Sequence, residues 1–220
     1  MSRKLRLGIP QIGGTDWRGG VNYLVQHGRG RVAPVVFVKS DLAAHDDARL
    51  RTIPGVTVVD GAPFMIGKGR GRRLVDALLT GSDRTAAQAF AAQAIDVVFE
   101  NAAFFGARLP LPTLSWIPDF QHRHMPQLFN RRDYWHREIG FRTLMAARRP
   151  IMLSSGDAHR DLTRFYGDAS VHIARFAVAP SAPSERASAA RVAERHELPE
   201  RYLFLPNQFW RHKNHVVVIE

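Results

Sequence analysis

TLSWIPDFQHRHMPQLFNRRDYW, Thr113 to Trp135, sets five residues of strand type against a proline and then a loop dense in ionisable side chains. Pro118 ends the run at Ile117, and Asp119, Gln121, His122 and His124 follow within six residues. A short buried-type strand that gives way at once to polar residues fits a parallel α/β sheet, where function gathers in loops after the strands' carboxyl ends.

The same alternation extends to both sides of that stretch. Strand-type runs occur at Leu5 to Ile9, Val32 to Val38, Val56 to Val59, Ile95 to Phe99, Ile151 to Leu153 and Val171 to Phe176. Helix-type segments separate them: Val21, Leu24 and Val25 share one helical face, Leu74, Val75, Leu78 and Leu79 share another, and Ala86 to Ala94 is rich in the best helix former. The pattern predicts a doubly wound, mostly parallel sheet with helices on both faces. From Ala177 to Pro199 the strand signals stop, and Pro180, Pro183 and small residues lead into a polar helix-like stretch. This reads as a linker, which bounds a first domain at residues 1–179 and leaves residues 201–220 to open a second.

Composition narrows the function. The chain has 220 residues and no cysteine, which excludes disulfides, thiolate catalysis and sulfur-ligated zinc. No apolar run reaches membrane-spanning length and MSRKLRLGIP has no signal-peptide core, so the expected location is the cytoplasm, with peripheral contact to the inner membrane face. A net charge of +11 calls for an anionic partner or surface. Seven arginines lie between Phe120 and Pro150, with only Asp133 and Glu138 to answer them. As a charge run alone, this stretch reads as a solvated helix face.

Three loops are candidates for chemistry. In GIPQIGGTDWRGGVNYL, Gly19 and Gly20 open a helix whose free N–H groups suit a phosphate, but the loop lacks the G-x-G-x-x-G spacing of a dinucleotide site, so NAD is not expected, nor any other cofactor. The second, IGKGRGRR at 66–73, lacks a P-loop ending and reads as a basic loop without a catalytic role. The third is the stretch that opened this section. His122 and His124 beside Asp119 have no clear third and fourth partners for a metal, so none is expected. A carboxylate and imidazoles that orient hydroxyls, followed by Arg131 and Arg132 for an anionic group, fit substrate handling better.

RGGVNYL, WIPDFQHRHMPQLF with its following RRD, LSSGDAHRDLTRFY and YLFLPNQFWRHKNH, in that order, resemble the retaining family 4 glycosyltransferases of the GT-B fold. The resemblance spans nearly the whole chain. It implies a Rossmann-like acceptor-binding domain at 1–179, a linker at 180–200, and at 201–220 the first strand and helix of a donor-binding domain that is cut short. It further implies sugar transfer, with retention, from a nucleoside diphosphate sugar to a glycan or lipid-linked acceptor, without a protein nucleophile.

By the same resemblance, Gly19, Gly20 and Asn22 approach the donor diphosphate from the first domain, and Asn207 and Lys213 approach it from the second. Asp119 matches the acidic member of a His-Asp pair. Pro118 stands where the histidine would be, which leaves His122 or His124 to substitute. His124, Arg131 and Arg132 are the expected acceptor or anion contacts. An anionic lipid diphosphate or membrane face suits the charge. Nucleic acid does not fit, because the arginines are not interleaved with stacking aromatics on a sheet. A noncatalytic module binding nucleotide, anionic lipid or nucleic acid is the alternative. So short a second domain is expected to be inactive, to bind donor weakly, and to self-associate through the exposed apolar runs of 202–205 and 216–219.

Overall fold

A computed structural model describes residues 3–10, 32–38, 50–65, 70–101, 104–175, 189–205, 209 and 213–219. The chain divides into two compact units, Met1–Val178 and Ala179–Glu220. In the first unit, seven strands form one sheet: β1 (Leu5–Pro10), β2 (Val32–Val38), β3 (Thr57–Asp60), β4 (Val97–Asn101), β5 (Thr113–Ile117), β6 (Ile151–Leu153) and β7 (Val171–Ile173). Their order is β3-β2-β1-β4-β5-β6-β7 and every pairing is parallel. The order reverses between β1 and β4, so this is the doubly wound, Rossmann-like arrangement, with its switch point between those two strands.

The helices of the first unit among the described residues are α1 (Arg70–Thr80), α2 (Arg84–Ala92), α3 (Gln121–His124), α4 (Arg131–Ala146) and α5 (Gly156–Tyr166). Their ends follow local chemistry. The side chains of Asp83, Asn130 and Ser155 cap α2, α4 and α5 by accepting from Ala86, Asp133 and Ala158 N–H, and α5 stops at Gly167, whose φ of 91° suits a residue without Cβ.

Alternation along the strands sends side chains to two cores. Ile9, Val36, Val38, Phe99, Trp116 and Met152 line one face of the sheet. On the other, Val35, Phe37 and Val98 pack beneath Phe64, Phe90 and Phe105, while Ile117, Ile151 and Leu153 pack with Phe120, Phe141, Leu144 and Leu162. The aromatic group is compact, with Phe37, Phe64, Phe90 and Phe105 centroids 5.0–5.5 Å from their neighbours. Each such edge or tilted pair adds about 0.5–1.5 kcal/mol beyond its area.

Three expectations change. Arg70–Arg73 of the supposed basic loop form the first turn of α1, while 66–69 lie outside the described residues. The apolar face of α1 points outward: Ala77 is buried, but Leu74, Val75, Leu78 and Leu79 are exposed, because the four phenylalanines already fill the space over β2. In the second unit, Tyr202–Leu205 has no strand pairing among the described residues, and the elements there are α6 (Ala189–Arg195) and α7 (Val216–Ile219). A strand exists only through its ladder partners, so an apolar run without one stays irregular.

Candidate functional site

The carboxyl edge of the sheet carries the site. Pro10 ends β1 and Asn101 ends β4 at the switch point, and Asp119 stands two residues past the end of β5. Trp116 Nε1 donates to Ser154 Oγ at 3.2 Å, which fastens the ends of β5 and β6 to each other. Asp119 Oδ1 accepts from the Gln121 N–H at 3.0 Å and from Arg137 Nη1 at 2.9 Å. Its side chain remains about half exposed, so the carboxylate is fixed in direction and still open to a ligand. Arg137 lies over the Phe129 ring at 5.0 Å, which steadies the guanidinium of the pair.

His122 is fully buried. Its Nε2 lies 3.1 Å from the Tyr166 hydroxyl and 3.4 Å from Glu138 Oε2, and its ring packs on Tyr134 and Phe141. The Tyr166 hydroxyl donates its hydrogen bond to Glu138 at 2.7 Å, and a carboxylate has no proton to donate. Nε2 is therefore the protonated nitrogen, and Nδ1 is buried without a hydrogen-bond partner among the described residues. An imidazole with no exposed surface does not touch a substrate. His122 thus leaves the expected catalytic pair and belongs to the buried cluster around Glu138.

Glu138 is the hub of this cluster. Burial alone would push its carboxyl up, but the Tyr166 hydroxyl and the Arg142 and Arg123 guanidiniums hold it below the usual carboxylate value. Arg123 Nη2 and Arg142 Nε donate to Oε1 at 2.7 and 2.8 Å. Burial, and then the bond to Glu138, raise the Tyr166 phenol. On β4 a second buried carboxylate, Glu100, accepts from Phe105 N–H, Ser115 Oγ and Arg149 Nη1. Burial pushes its carboxyl up against those three donors.

The arginine-rich stretch accordingly divides. Arg123 and Arg142 answer Glu138, Arg137 answers Asp119 and Arg149 answers Glu100, so much of its charge neutralises carboxylates rather than facing solvent alone. Arg131 and Arg132 stay exposed in the first turn of α4, where the helix dipole disfavours cations and favours anions. His124 turns away from His122, with Nε2 2.7 Å from Asp161 Oδ2 and its ring against Phe165. Lys213 is exposed in the second unit. Gly19, Gly20, Asn22 and Asn207 lie outside the described residues.

Burial holds the His122 imidazole below its ordinary 6.5, with the Arg137 and Arg123 charges adding to the effect and Glu138 only partly opposing it. A depressed histidine pKa means that the unfolded chain binds the proton first as pH falls. His122 therefore stabilises the fold fully above pH 6.5 and loses that contribution from 6.5 down to its folded value. The slope within that window is at most about 1.4 kcal/mol per pH unit for one proton. Urea unfolding of wild type and His122→Phe between pH 7.5 and 5 checks this: the difference in stability should change in that direction, and equal pH slopes in the two proteins would refute the assignment.

Among known proteins, no family model and no curated protein matches the chain.

Proposed function

We propose that the protein is a retaining, family 4-like glycosyltransferase module whose first unit holds a glycan or lipid-linked acceptor and one side of a nucleoside diphosphate sugar. The observation that carries this reading is Asp119: a half-exposed carboxylate, aimed by Arg137 and the Gln121 N–H, at the carboxyl edge of a doubly wound sheet and within the WIPDFQHRH motif. Such a carboxylate accepts a sugar hydroxyl and orients it. Arg131 and Arg132 supply positive charge for an anionic acceptor group. Acting at the cytoplasmic face of a membrane would suit a lipid-linked acceptor.

Ligand-observed NMR on the 220-residue chain with a panel of nucleoside diphosphate sugars tests the reading. Weak binding, displaced by the free nucleoside diphosphate, is the expected result. Asp119→Asn should lower it about tenfold, because a hydrogen bond to a charged group is worth roughly 1.5–3 kcal/mol. Binding indifferent to Asp119→Asn, or no binding at all while random DNA binds in a salt-dependent way, would overturn the proposal.

A further inference from the structure

In a surface helix of a water-soluble domain the apolar stripe faces the core. α1 has the opposite orientation. Ala77 is 1 % exposed, and Arg73 is drawn inward to donate to the Phe64 carbonyl at 2.8 Å and to pair with Asp83. The helix is thus attached along its Arg73–Ala77 side. Leu74, Val75, Leu78 and Leu79 face away from the protein at 43, 52, 54 and 81 % exposure. At the helical period these four residues span an arc of roughly 140°. Exposed Arg72 borders it, and Lys68 and Arg70 precede it in the sequence. Asp76 is the helix's single acid.

We infer that α1 is an interfacial helix that lies on an anionic lipid surface. Its outward leucines and valine enter the acyl boundary while the neighbouring cations meet lipid phosphates. Both halves of the surface point to this occupant, since an apolar arc bordered by basic residues is satisfied at once by acyl chains and anionic headgroups. A second copy of the chain suits it less. A two-fold contact would cover the apolar arc but bring no dense anionic charge to the cations beside it, since Asp76 is the helix's single acid. The inference does not rest on sugar transfer, and it assigns membrane contact to a surface other than Arg131 and Arg132.

The test is co-sedimentation of the 220-residue chain with vesicles of phosphatidylcholine, with and without phosphatidylglycerol, at low and high salt. Binding should require phosphatidylglycerol and weaken with salt. Leu78→Glu combined with Leu79→Glu should lower partitioning at least about tenfold, because two side chains meant for the acyl boundary become charged. Arg72→Glu should lower partitioning and flatten its salt dependence. All these positions are exposed, so far-UV circular dichroism and the thermal midpoint should not move. Arg131→Ala with Arg132→Ala, on α4, should lower partitioning much less than the α1 pair does.

Three results would overturn the inference: no vesicle binding by wild type, binding lost with the α4 pair but kept in the α1 pair, or a dimer in sedimentation velocity that the α1 pair dissolves.

Discussion

Glu138→Ala is expected to destabilise the first unit by about 3–5 kcal/mol, the range for removing one partner from a buried charge network. The side chain is 2 % exposed and accepts hydrogen bonds from Arg123, Arg142 and Tyr166 while His122 stands beside it. Its loss leaves the Arg123 guanidinium and the Tyr166 hydroxyl partly buried without their acceptor, whereas Arg142 is exposed enough to hydrate. Glu138→Gln keeps the volume and some hydrogen bonding and should lose about half as much, since it removes the charge but not the packing. The damage should also reach Asp119, because α3, α4 and α5 all meet at this carboxylate and Asp119 lies two residues before α3. Chemical denaturation reads the stability, and the NMR titration reads the site. A loss below about 1 kcal/mol for Glu138→Ala would mean that the cluster is an ordinary surface network.

The strands were legible in the sequence for a plain physical reason: a strand buried on both faces reads as a short apolar run, as β2 (VAPVVFV) and β6 (IML) do, and β-branched residues mark the others. Pro118 marks the end of β5 and so places Asp119 at the carboxyl edge from the sequence alone. The Glu138 cluster was not legible. Its members are spread from His122 to Tyr166, on three helices, and only packing brings them together. The one available signal was Glu138 itself, a lone acid in the middle of an arginine-rich helix and four residues before Arg142. Counting charges along the stretch reads four arginines as part of a solvated face when carboxylates hold them. In α1 the period identified the apolar face correctly but not its direction, because periodicity says which residues share a side and nothing of what that side meets.

Gly106→Ala is expected to cost about 3 kcal/mol or more, and to lower the melting temperature by roughly 6–12 °C. Two effects add. Gly106 has φ of +100°, a conformation that a residue with Cβ adopts only under strain. An added Cβ would also overlap the Gly81 carbonyl and lie 2.6 Å from Ser82 Cα, both of them backbone that cannot rotate away. The contact is tight because two loops clasp there: Arg108 N–H donates to the Gly81 carbonyl at 2.6 Å, Asp83 N–H donates to Phe105 at 2.8 Å, and Arg149 donates to the Gly106 carbonyl. Displacing the loop would withdraw Phe105 from the aromatic core and its N–H from Glu100, so the effect spreads from one Cβ to the support beneath the end of β4. Gly55→Ala separates the two contributions. Gly55 has φ of +83° and nothing within 4 Å of an added Cβ, so it should lose only the strain of about 1 kcal/mol. If the two variants melt within a degree or two of each other, the clasp is loose enough to admit a methyl group, and the loop after β4 is not the rigid support that the Glu100 and Arg149 contacts imply.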